Sequence, residues 1–161
     1  MEIEGIFQKD SSPATVEALF KQGADLDLSH VGDVHLVASL LKKQLTSLRP
    51  PIISVDGDTY SEILSALDIT ENQRVWFLHE MLEDSLTTSA FARARLVFSL
   101  FNDFLQNSSA NHLSTNLLAK TFGELLLVNE ESDGVPTELQ EKHKQIVSII
   151  FENYQELFGQ Q

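Results

Sequence analysis

The sequence predicts an all-α fold: a single helical domain of about seven helices spanning residues 1–161. Three observations predict it. Apolar residues recur at three- and four-residue steps in successive segments. Cap residues, prolines and glycines fall between those segments. No segment sustains the alternation of a half-buried strand. The chain has 161 residues and is 42% hydrophobic, enough for one sizeable core.

Ser12 is placed to cap a first helix with Pro13 at its first position; Val16, Leu19 and Phe20 mark its face and Gly23 its stop. Residues 23–33 read as a loop. Asp33 caps the clearest helix, whose Val34, Val37, Leu40, Leu41, Leu45 and Leu48 share one face. Arg49-Pro50-Pro51 ends it, because proline lacks the amide that continuation needs. Ile52, Ile53 and Val55 are extended, and Asp56-Gly57-Asp58 is a turn. Thr59-Tyr60-Ser61-Glu62 has capping-box spacing and opens a short helix with Tyr60, Ile63, Leu64 and Leu67. Thr70-Glu71-Asn72-Gln73 repeats that signal before Val75, Leu78, Leu82 and Leu86, with Trp76 beside the face. A helix from near Ser89 carries Phe91, Ala94, Val97, Phe98, Phe101, Phe104 and Leu105, and Asn107 to Asn111 breaks it. Ser114 or Thr115 caps the next, through Leu117, Leu118, Thr121 and Phe122, with Gly123 expected to end or bend it. After an acidic loop from Asn129 to Gly134, Pro136 opens the last helix, with Leu139, Ile146, Val147, Ile150, Tyr154, Leu157 and Phe158 inward.

The composition narrows the function. The formal charge of −13 argues against nucleic acid or an acidic membrane surface as partner. No apolar run reaches the ~18 residues of a membrane span. The chain has no cysteine, hence no disulfide framework, thiolate zinc site or thiol nucleophile, and a cytoplasmic protein is the simplest reading. The few basic residues cluster as Lys42, Lys43 and Arg49, and as Arg93 and Arg95. Either these are solvated helix faces or they meet an acidic partner surface.

Self-contained chemistry is missing. His79-Glu80 has the start of a zinc-protease motif, but the second histidine position holds Glu83, so the segment reads as a solvated helix face. A calcium loop starting at Asp56 would need its last ligand at Leu67. There is no glycine-rich phosphate loop, and nothing in the sequence joins serine and histidine into a triad. No cofactor is expected.

Four stretches in order resemble the Rho-family GTPase-activating (RhoGAP) domain. They are Gly5-Ile6-Phe7-Gln8 with Ser11-Ser12 and Val16 to Leu19; Asp33 to Lys42 running on to Leu48-Arg49-Pro50-Pro51-Ile52-Ile53; Leu113 to Ala119 with Phe122-Gly123-Glu124-Leu125-Leu126; and Ile149 to Tyr154 with Leu157-Phe158. The resemblance implies an all-helical fold that docks on a GTP-loaded Rho-family GTPase. It also implies an arginine finger from the first loop, worth ~10³–10⁵ in rate. Here the finger position is Gln8, which lacks the charge and fork of a guanidinium. Lys9 is charged but one residue out of phase. The family lysine is kept as Lys42. The arginine after it is Thr46, the family asparagine aligns with Leu117 while Asn116 lies one residue early, and the proline after Phe-Gly is Glu124. The family's usual helix before the finger loop is not seen, so either the chain is a fragment or the domain is abbreviated at its N-terminus.

From this the sequence suggests a chain that is not an enzyme: a RhoGAP-like binding module, deficient in activation, for a Rho-family GTPase. Candidate partner contacts are Gln8, Lys9, Lys42, Lys43, Asn116 and Glu124, with no catalytic residue and no metal; Thr46 and Leu117 are degenerate positions. Two alternatives stand beside it: a weak GTPase activator, and a helical module with other protein partners.

Overall fold

A computed structural model describes residues 34–47, 50–106 and 114–159. The first expected helix, the loop with Gln8 and Lys9, the Asp33 cap, Leu48-Arg49 and the Asn107–Asn111 break lie outside those residues, as do the side chains of Val34, Val37, Leu40, Leu41 and Phe104.

Among the described residues the fold is all-α. Its helices are α1 (Val34–Ser47), α2 (Gly57–Ser65), α3 (Glu71–Ser85), α4 (Thr88–Gln106), α5 (Thr115–Leu126), α6 (Gln140–Glu152) and α7 (Tyr154–Phe158). Short 3₁₀ turns at Ala66–Asp68 and Thr137–Leu139 follow α2 and precede α6. Two three-residue strands, β1 (Ile53–Val55) and β2 (Leu127–Asn129), pair in parallel with Ile53 opposite Leu127. The first falls in the stretch expected to be extended, and the second, at three residues, is too short to carry an alternation.

Local chemistry sets most boundaries. α2 starts earlier than the Thr59 signal suggests: the Asp56 carboxylate accepts the Thr59 amide at 2.7 Å, so Asp56-Gly57-Asp58 is a helix start rather than a free turn. Thr70 sits at the α3 N-cap as expected, but its hydroxyl donates to Gln73 Oε1. Ser114 caps α5, accepting the Leu117 amide at 3.1 Å. α5 runs through Gly123 to Leu126, so that glycine neither ends nor bends it. The last predicted helix is divided at Asn153, whose Nδ2 donates to the Ile149 carbonyl at 2.8 Å and separates α6 from α7.

The core lies where α4, α5, α6 and α7 meet. Phe98 stacks on Phe158 with ring centroids 5.3 Å apart and lies 5.3 Å from Phe151. Phe101 lies 5.0 Å from Phe122 and 5.4 Å from Phe151. These five rings are all buried and contribute beyond their area through tilted and offset contacts. Around them close Leu78 and Leu82 of α3, Ile146, Val147 and Ile150 of α6, and Leu118 and Leu126 of α5. α1 packs on α5, with Leu45 buried between them and the core.

Truncating the central ring tests this account. Phe98→Ala is expected to lose ~3–5 kcal/mol. Trp76→Ala, at a residue 65% exposed, is expected to stay within ~0.5 kcal/mol of the parent in urea unfolding.

Candidate functional site

Two described helices, α1 and α5, carry the sequence-predicted site residues. On α1, Lys42 and Thr46 are one turn apart and share a stripe beside the buried Leu45. Lys42 and Lys43 are half-buried. Thr46 is exposed, and its hydroxyl donates to the Lys42 carbonyl at 2.8 Å; Ser47 bonds the Lys43 carbonyl in the same way at 2.9 Å. Threonine therefore turns its polar group back onto its own helix, where a long cation would reach outward.

On α5 the two neighbouring positions diverge, as ~100° of rotation per residue requires. Leu117 is half-buried and packs against the core. Asn116 is exposed and lines a groove of about 410 Å³ with Arg74, Lys144, Gln145 and Ser148. The lining of that groove comes from α3, α5, α6 and the first 3₁₀ turn, so Asn116 is brought together with α6. Arg74 is committed to the fold: its guanidinium donates to the carbonyls of Ala66, Leu67 and Ile69. Thr115 ties the first turn of α5 to the end of α6 through Glu152 Oε1 at 3.0 Å.

Glu124 is exposed at the other end of α5. It borders a cleft with Lys120, Gln140, Glu141, His143 and Lys144, and a second one with Tyr60 and Val128. Directly behind it is a polar network that the sequence reading missed. His143 Nε2 lies 2.9 Å from the Gly123 carbonyl, which can only accept, so Nε2 carries the proton. Nδ1 therefore accepts from the Tyr60 hydroxyl at 2.8 Å. Burial holds the His143 pKa below its ordinary value, against the opposing pull of the Gly123 bond and the Glu124 charge. Burial, with the Glu124 charge second, pushes the Tyr60 hydroxyl up. A signal did exist: His143, Ile146, Val147 and Ile150 follow a three- and four-residue rhythm. It was hidden by Lys142 and Lys144, which make the segment look solvated.

The position of Gln8 and Lys9 relative to α1 and α5 lies outside the described residues. Of the predicted contacts, the structure therefore describes Lys42, Lys43, Asn116 and Glu124, all on the neighbouring helices α1 and α5.

Known proteins resemble this arrangement. The family model of the RhoGAP domain matches residues 1–131. Rho GTPase-activating protein gacY of Dictyostelium discoideum is 30% identical over 99% of this chain, which covers 22% of that protein. Rho GTPase-activating protein 15 of Gallus gallus is 24% identical over 99% of this chain and 34% of its own length. The chain thus spans a third or less of these relatives. Among solved structures, human Rho GTPase activating protein 15 matches 98% of this chain and 76% of its own with a TM-score of 0.82 at 21% identity. The BH domain of GRAF, the GTPase regulator associated with focal adhesion kinase, matches 98% of this chain and 85% of its own with a TM-score of 0.80 at 17% identity. At these identities the structural matches speak for the fold.

The names correct one expectation. The sequence suggested a chain outside the activators because Gln8 stands at the finger position. Relatives matching 99% of the chain are named Rho GTPase-activating proteins, so the expectation that it is not an activator is withdrawn. The physical weakness of that expectation is that docking alone can order a GTPase's own glutamine and attacking water, without a finger.

The His143 network has two measurable consequences. Tyr60→Phe leaves the buried Nδ1 without its donor and is expected to cost ~1–3 kcal/mol. His143 binds its proton less readily in the folded chain than at the ordinary value of 6.5, so below 6.5 the unfolded chain takes up a proton that the folded one does not. Its contribution is therefore fully present above that pH and is lost as the pH falls. Urea midpoints measured at neutral pH and about one unit below 6.5 should differ less for His143→Gln than for the parent chain.

Proposed function

The chain belongs to the RhoGAP domain family, and on that premise we propose that it regulates a Rho-family small GTPase by docking on it and weakly activating its GTP hydrolysis. The observation that carries this is Lys42. By the resemblance it takes the position of the family lysine, and it lies one turn before Thr46 on a helix that packs against α5. With Lys43 it puts positive charge on a chain of formal charge −13, which suits an acidic patch on the partner and fixes orientation more than affinity.

In this reading the partner covers the α1–α5 face, contacting Lys42 and Lys43, with Asn116 and Glu124 at the two ends of α5 and Gln8 and Lys9 from the first loop. Acceleration comes from ordering the partner's own catalytic glutamine and water. Gln8 offers an amide donor to the developing phosphate charge, and a neutral donor is weaker there than a charge-assisted one. Thr46 and Leu117 withhold the further polar contacts that the resemblance would place beside the nucleotide. The rate gain is thus expected to fall below the ~10³–10⁵ of an arginine finger.

Single-turnover hydrolysis by a panel of GTP-loaded Rho-family GTPases, with the chain in excess, tests the proposal. A modest, saturable acceleration is expected. Lys42→Glu should weaken the half-saturating concentration by about tenfold or more, because it sets like charges against each other. Gln8→Arg alone should recover little, since Thr46 and Leu117 also depart from the family pattern. Absence of both acceleration and nucleotide-dependent binding at high micromolar chain would overturn it.

A further inference from the structure

We propose that His79, Glu80 and Glu83 on α3 form a binding site for a divalent cation of the zinc class, ligated by His79 Nε2 and one carboxylate oxygen from each glutamate. The helix supplies the first condition. Residues 79 and 83 are one turn apart, and 80 and 83 are three apart, so the three side chains can converge on one surface. Their donor atoms already lie within 4.8 Å of one another. Tetrahedral ligands at zinc distances sit about 3.4 Å apart, so small rotamer adjustments of the two glutamates close the set.

The second condition comes from outside the cluster. His79 Nδ1 lies 3.0 Å from the Leu157 carbonyl of α7, which can only accept, so Nδ1 carries the proton. In the neutral ring Nε2 is then a bare lone pair. It points at Glu83 Oε2, 3.6 Å away, another acceptor. The Nε2–Glu83 Oε2 pair is one that a shared cation holds together, either a proton on Nε2 or a bound metal ion. A metal-binding histidine ordinarily has its other nitrogen donating to a carbonyl or carboxylate, which orients the ring and raises its basicity. Here the ring is further steadied by the edge-on contact of Phe91, at 6.5 Å and 79°.

The surroundings fit the same ligand. The His79 side chain is only 19% exposed, whereas that of Glu83 is 56% exposed, which gives a supported ligand on one side and open access on the other. One imidazole and two carboxylates suit zinc or a neighbouring transition metal better than magnesium or calcium, which prefer all-oxygen sets. The net negative charge of the chain raises the local cation concentration. This corrects the solvated-face reading of His79-Glu80, since His79 bridges α3 to α7. A bound cation would polarise the ring, strengthen the Nδ1–H bond to Leu157 and fasten α7 onto α3. The other species able to sit between Nε2 and Glu83 is a proton, and the test separates the two.

The chain, stripped of metal with a chelator and dialysed, is titrated with zinc chloride in a calorimeter at neutral pH, and histidine nitrogen spectra are recorded with and without the metal. One saturable equivalent is expected, with the His79 Nε2 resonance shifted and Nδ1–H retained. Glu80→Gln and Glu83→Gln are each expected to weaken binding by about tenfold or more. Both keep a polar side chain at a solvent-accessible position, so folding should persist. Zinc should raise the unfolding temperature of the parent more than that of either variant. The proposal is overturned by absence of saturable binding, by equal binding in the glutamine variants (zinc held at His30, His35 or His112), or by a His79 that stays protonated on both nitrogens in excess zinc.

Discussion

The Gly123 carbonyl accepts two hydrogen bonds, from the Leu127 amide that closes α5 and from the buried imidazole of His143. Through His143 it reaches the Tyr60 hydroxyl, so one continuous polar chain joins α5, α6 and α2 inside the fold. Each of these groups would cost ~2–7 kcal/mol if buried without its partner, so the three helices have little freedom to slide independently. A β-carbon at position 123 would meet His143 Cδ2 at 3.6 Å and Val147 Cγ2 at 3.7 Å, which is ordinary contact. A methyl group would fit there, so it is the Gly123 carbonyl and not the missing side chain that anchors α6 to α5.

The rest of the fold follows from that anchor. Because α5 ends where His143 holds it, Leu127–Asn129 emerges alongside Ile53–Val55 and the two short strands can pair. α2 follows β1 directly, and its Tyr60 returns to His143, which closes the circuit. Two turns further along α6 the phenylalanine cluster, through Phe151, fixes α4 and α7 by shape. Polar bonds set the register of one half and ring packing sets the other. The division at Asn153 then turns α7 back onto α3.

The proposed docking face is built on this rigid frame. α1 and α5 are neighbours, and α5 is held at its start by Ser114 and Thr115 and near its end by His143. A GTPase meeting Lys42 and Lys43 would thus meet groups on supported helices, which limits the ordering cost of association. Beside this face, Thr46 bonds its own helix and Leu117 packs against the core.

The sequence by itself determined the helical class, a cap at Ser114 or Thr115, and the buried faces of α3 to α6. Each is a local or periodic property, written within one or two helical turns. It misplaced the start of α2, because an aspartate three residues upstream competes with the Thr59 signal, and it expected Gly123 to end a helix that continues. Only the tertiary structure decided that His143 is buried, that Asn116 lines a groove with α6, and that His79 bonds Leu157. Those three depend on which helix lies opposite each side chain. Partners such as Tyr60 and His143 are brought together by packing across most of the chain, and no local spacing encodes that.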